Sequence, residues 1–206
     1  MPRAGLSEAS LGLLSAAVVD EQTVQRYRAK TRPMLGSSCL WWTGAVSARG
    51  RGRFWLGESD GRDVVVIAHR FAWALEFGVE DLQTVPVLGH RCDNPLCQRI
   101  GTAPDGPVHV QRSSPHENAR EWASRRHAYG NPLRDSRGSR GRARTIRDLL
   151  RSGATGADLA AALGAGLLLD AAQLQLWEDE PLPAGGPALL TGEDELLDAG
   201  LVGAAR

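Results

Sequence analysis

The feature that most constrains this chain is a cysteine pair set in a turn. Residues 87–101 read VLGHRCDNPLCQRIG, with Cys92 and Cys97 separated by four residues, Asn94 and Pro95 among them. Asn and Pro tighten such a loop, so both sulfurs can face one point. The chain has one further cysteine, Cys39. An odd count argues against a disulfide framework and for thiolate ligands in a reducing compartment. Zinc takes four ligands in a tetrahedron, at about 2.0–2.3 Å. The remaining candidates are Cys39, His69, His90, His109 and His116. Cys39 begins an aromatic, strand-like run and His109 follows the loop. A structural Zn²⁺ site of Cys39, Cys92, Cys97 and His109 would therefore tie the strand region to the loop. The competing reading is that the cysteines are ordinary small side chains in a turn.

The surrounding pattern is mixed, and the expected fold class is α+β. Residues 7–30 read as one or two helices, stopped at Pro33. CLWWTGAV, RGRFWLG and RDVVVIA read as three short antiparallel strands with glycine-bearing turns. HRFAWALEFG reads as a short helix ended by Gly78. From 86 to 129 the order is strand, irregular loop, brief strand VHVQ, then a helix with Pro115 near its first position and Gly130 at its end. Residues 131–177 read as an Arg- and Gly-rich linker followed by two helices broken at Gly153, and 178–206 as an acidic, disordered tail. The expected segments are thus 1–36, 37–130, 131–177 and 178–206.

The formal net charge is +0, but the charge is unevenly spread. Between Arg112 and Arg151 about eleven arginines face about four acids. Such a segment suits phosphate backbones, and double-stranded DNA is the expected partner. The alternative is a solvated helix face. No run of about eighteen apolar residues exists, and the first twenty residues lack the pattern of a signal peptide, so a soluble cytoplasmic protein with no membrane partner is expected.

Hydrolysis of a phosphodiester needs a base for water, positive charge against the developing anion and an open coordination position. His90, closing a strand, is a suitable base near neutral pH. Asn118, on the helix that follows, offers an amide oxygen acceptable to Mg²⁺. In a strand–strand–helix hairpin the two side chains can meet over one ion.

The runs CLWWTGAVSARGRGRF, AHRFAWALEFG, GHRCDNPLCQRIG and VHVQRSSPHENAREW together resemble the HNH endonuclease superfamily. They are most similar to its phage and actinobacterial branch with an H-x-CDNP-x-C core, and more distantly to group I intron homing endonucleases. The resemblance covers about residues 39–122. It implies a ββα-metal fold, His90 as general base and Asn118 as ligand of a catalytic Mg²⁺ or other divalent cation. It places His109 where the family's middle Asn orients the catalytic histidine, a position that is often His, with a zinc role, in the cysteine-bearing branch. One residue departs from the pattern: Gly89 stands where many members have a metal-binding Asp. Asp93, Glu117 or substrate phosphate would have to compensate. The alternative is a zinc-stabilised DNA-binding protein of the same fold without cleavage. His69 and Arg70 also match the branch, His69 as a packing or capping residue and Arg70 as a phosphate or acid contact.

IRDLLRSGATGADLAAALG is similar to the first part of a helix-turn-helix, with Ala160 and Gly164 at the small-residue and turn positions. The helix that would read bases, LLLDAAQLQLW, is nearly devoid of groups that reach base edges and is net negative. It suits packing or a homodimer. Backbone binding is therefore expected from Arg125, Arg126, Arg137, Arg140, Arg142 and Arg144.

Overall fold

A computed structural model of the chain describes residues 7–59, 61–101, 108–125 and 134–165. Two helices come first, α1 (Glu8–Val19) and α2 (Glu21–Arg28). Each has a side-chain cap: Ser7 Oγ accepts from the Ser10 amide, and an Asp20 carboxylate oxygen accepts from the Thr23 amide at 2.8 Å. The second helix ends at Arg28. Pro33, expected to stop it, lies instead in β1 (Thr31–Met34), which pairs antiparallel with β2 (Ser37–Trp42). Proline is tolerated there because β1 is an edge strand and its register shifts between Pro33 and Met34.

The expected three-stranded meander is present in altered form. A sheet of order β3–β4–β5 joins β3 (Ala45–Val46), β4 (Gly52–Ser59) and β5 (Arg62–Ile67). The run CLWWTGAV, expected as one strand, is divided: β2 pairs backwards with β1, and only β3 pairs with β4. Trp42 causes the division. Its indole lies over Gly44 and Gly52, where an added Cβ would come within 2.4 and 2.7 Å of the ring, and its Nε1–H donates to the Ala45 carbonyl at 2.9 Å.

Next come α3 (Ala68–Phe77) and α4 (Val79–Thr84), hinged at Gly78, whose φ of 90° favours glycine. The six-residue α4 is too short to show a helical period in the sequence. The strand–loop–strand–helix order expected between 86 and 129 is observed as β6 (Val87–His90), β7 (Val110–Ser113) and α5 (Pro115–Arg125), with His90 opposite Val110 in the antiparallel pair. A reciprocal capping box opens α5: Ser114 Oγ accepts from the Glu117 amide at 3.1 Å, and Glu117 Oε2 from the Ser114 amide at 2.8 Å.

The last described elements are α6 (Gly138–Arg151) and α7 (Gly156–Ala165). The flexible linker expected here gives way to helix at Gly138. Ala143, Ile146 and Leu150 of α6 join the same buried core as β2, β4 and α3. The helix expected over 167–177 and the acidic tail lie outside the described residues. No described helix is long and apolar enough to cross a membrane.

The centre of this core is aromatic. Phe54 is fully buried, with its ring centroid 4.7 Å from Phe71, 5.4 Å from Tyr27 and 6.1 Å from Trp42. It joins four elements, α2, β2, β4 and α3. Phe54→Ala should therefore lower stability by about 3–5 kcal/mol in urea unfolding. A loss below about 1 kcal/mol would contradict this core assignment.

Candidate metal centre and adjoining cleft

The turn at 91–98 is built by its own polar groups. Asn94 Oδ1 accepts from the Leu96 amide at 3.2 Å, its carbonyl accepts from the Cys97 amide at 3.0 Å, and Asp93 takes a φ of 50°. The turn then runs beside β2 like a short extra strand. Trp42 N–H donates to the Leu96 carbonyl at 3.0 Å, Gln98 N–H to the Leu40 carbonyl at 2.7 Å, and Trp41 bridges Cys97. This pairing carries Cys39 to the turn. His109 stands just before β7 rather than on it, held by its amide to the Gly101 carbonyl and by its own carbonyl to the Arg91 amide.

Cys39, Cys92, Cys97 and His109 come together as expected. Their ligand atoms all lie within 4.8 Å of one another, and three of the four residues are buried. His109 Nδ1 is 3.4 Å from Cys97 Sγ and 3.7 Å from Cys39 Sγ. A tetrahedron with metal–sulfur bonds of about 2.3 Å and a metal–nitrogen bond of about 2.0 Å has edges of roughly 3.5–3.8 Å, so the spacing fits. Ionisation points the same way. Hydrogen bonds from Cys92 and Cys97 pull the Cys39 thiol well down, while sharing those bonds pushes Cys92 and Cys97 up. One thiolate is stabilised at the expense of the others, and a central dication would let all three ionise. The group can hold a metal ion such as zinc.

His90 lies against this centre. Its Nε2 is 3.2 Å from the Cys97 carbonyl oxygen. A carbonyl can only accept, so Nε2 carries the proton and Nδ1 keeps the lone pair. Burial holds the imidazole down, at about 4, so it is neutral near pH 7. His69 packs edge-on against it with centroids 4.5 Å apart. The His69 ring is 3% exposed and its Nδ1 has no hydrogen-bond partner among the described residues, which fits the packing role expected of it.

Beyond His90 opens a cleft of about 240 Å³ that also receives Asn118 and Asp93. A Cβ added at Gly89 would lie 3.5 Å from Asn118 Oδ1, so positions 89 and 118 are neighbours. Among the described residues, the two acids named as substitutes for a carboxylate at position 89 are engaged elsewhere. Glu117 is committed to the α5 cap, and Asp93 pairs with Arg125 at 3.3 Å. A divalent cation at Asn118 would meet one amide oxygen among several guanidinium groups, so the residues present do not by themselves fit a resident ion.

Of the arginines expected to face DNA, Arg125 and Arg142 line the cleft. Arg142 is buried and 3.4 Å from Asp135, not on a solvated face, and Arg137 is spent on the same carboxylate at 2.6 Å and on the Ala162 carbonyl. Arg70 reaches the Leu82 carbonyl at 3.5 Å. Arg140 and Arg144 are exposed on α6, His116 is exposed away from the metal centre, and Arg126 lies outside the described residues. Two charged lining residues went unnoticed in the sequence: Arg49 and Arg51, in the turn between β3 and β4. Their signal was the Arg–Gly alternation of SARGRGRF. Gly50 between them has a φ of 75°, and a Cβ there would come within 2.5 Å of the Ser139 carbonyl oxygen. Only glycine lets this turn lie against α6.

The chain is similar to Protein 7.7 of Escherichia phage T7, at 31% identity over 96 residues. The match covers 46% of this chain and 63% of the phage protein, so it spans just under two thirds of that relative's length. No protein-family model matches the chain, and no solved structure does.

Elemental analysis of the purified chain should find about one metal ion per molecule. Cys97→Ser should reduce that content severalfold and lower the melting temperature, because binding energy at such a centre is folding energy. Metal-free protein with an unchanged melting curve would rule out the centre.

Proposed function

We propose that the chain is an HNH-type DNA endonuclease of the ββα-metal kind. The observation that supports it best is the placement of a neutral, tautomer-fixed His90 in one cleft with Asn118 and several arginines. His90 Nδ1 would take a proton from water as the water oxygen bonds to phosphorus. The guanidinium groups would offset charge on the phosphoryl oxygens. The P–O ester bond then breaks and the leaving oxygen is protonated from solvent. Zinc is the ion proposed for Cys39, Cys92, Cys97 and His109, where it would fix the Cys97 carbonyl that orients His90. A Mg²⁺-type ion would have Asn118 as its protein ligand and would depend on phosphate oxygens for the rest.

Gly89 favours a second reading, a DNA-binding protein of the same fold that does not cut. Plasmid nicking with Mg²⁺ or Mn²⁺ decides between them. Cleavage should occur, and His90→Ala should slow it about 10²–10⁴-fold. Nicking that survives this substitution at full rate would end the assignment, and no nicking with either ion would favour the second reading.

The space at Gly89 allows a sharper check. Its added Cβ would make only ordinary van der Waals contacts, with Asn118 Oδ1 and Ser113 Cβ both at 3.5 Å. Gly89→Asp should place a carboxylate beside Asn118 and lower the Mn²⁺ concentration that gives half-maximal cleavage, while the melting temperature stays within a few degrees. An unchanged or higher Mn²⁺ requirement would show that 89 and 118 do not share an ion.

A further inference from the structure

The cleft is lined by four arginines and one carboxylate, Asp93, which is already paired with Arg125. The arginines come from three separate places: Arg49 and Arg51 from the β3–β4 turn, Arg125 from the end of α5, and Arg142 from the middle of α6. A surplus of one sign inside a walled cavity focuses the field and draws in the opposite charge. Asp93 and Glu121 offset Arg125, and Asp135 offsets Arg142, so the field is most positive toward the β3–β4 turn, where it favours an anion over a free divalent cation. Arg142 is held by Asp135, and Arg125 by Asp93 and Glu121, which restrains both side chains. The Arg49–Gly50–Arg51 turn lies against α6 at Ser139, with no room for a side chain at position 50. Planar guanidinium forks suit phosphate oxygens, and backbone phosphates are the anion a nuclease cleft would meet.

We infer that the Arg49–Gly50–Arg51 turn is a phosphate clamp, and that this cleft takes a DNA backbone phosphate first and without a divalent cation, the cation being held only once phosphate oxygens are in place. The inference rests on the DNA-directed reading above and adds an order of binding and two residues to it.

The test uses the full chain with its cysteine–histidine centre left loaded, in buffer passed over a chelating resin and then freed of Mg²⁺ and Mn²⁺. Fluorescence anisotropy follows binding of a short fluorescein-labelled duplex between about 50 and 200 mM salt. The wild-type chain should bind without any divalent ion. The Arg49→Ala/Arg51→Ala variant should bind less tightly, and the slope of log K against log salt should shrink by about two, since each phosphate contact contributes about 0.9. Arg51 is half-buried, so Arg49→Ala alone, at an exposed position, carries the test if the double variant misfolds; its slope should shrink by about one. An unchanged slope in a folded variant overturns the clamp. So does a wild-type chain that binds only after Mg²⁺ is added, even if it then cleaves; that outcome leaves the endonuclease reading standing. Conversely, metal-free binding with the expected slopes but no cleavage under any divalent ion upholds the clamp and removes the endonuclease.

Discussion

The structure depends on three backbone contacts between β2 and the turn that follows β6: Trp42 to Leu96, Gln98 to Leu40, and the bridge between Trp41 and Cys97. Cys39 and Cys97 are far apart in sequence, and this pairing makes them neighbours. It also fixes the Cys97 carbonyl against His90. One short stretch of added strand therefore sets both the geometry of the four-ligand group and the tautomer of the histidine beside it. The aromatic core lies directly behind, through Trp42, so packing and ligand placement share a residue.

Much of this was legible because its signals are local or rest on rare residues. The Cys92–Cys97 spacing, the third cysteine and a histidine after the loop were enough to name the four-residue group. Pro115 at the start of α5 and Gly78 after α3 marked their helix ends. What escaped was decided at long range. Pro33 reads as a helix stop, but it lies in a strand because β2 folds back onto it. CLWWTGAV reads as one strand, but the Trp42 indole over Gly44 divides it. The arginines of 137–144 read as one basic surface. Asp135, a single nearby acid, draws Arg137 and Arg142 inward and leaves Arg140 and Arg144 outside. Charge counting along a sequence cannot register which cations a buried carboxylate takes.

Gly89 bears on what the cleft can hold. Asn118 stands across from it and His90 next to it. Position 89 presents no side-chain oxygen, and the nearby acids serve other ends: Glu117 a helix cap, Asp93 an arginine. The lining of the cleft accordingly holds four guanidinium groups and one carboxylate.

The docking of α6 has a consequence for the order in which the molecule is made. Arg151 donates to the Thr43 carbonyl at 2.7 Å across 108 residues of chain, and Ser139 seats the turn at Gly50. A chain emerging from the ribosome can bring its four-ligand group together once His109 is synthesised, but the cleft residues that α6 supplies, Ser139 and Arg142, come about thirty residues later. Contacts of such long sequence separation form late in folding. An unfinished chain thus carries the histidine without the complete cleft around it.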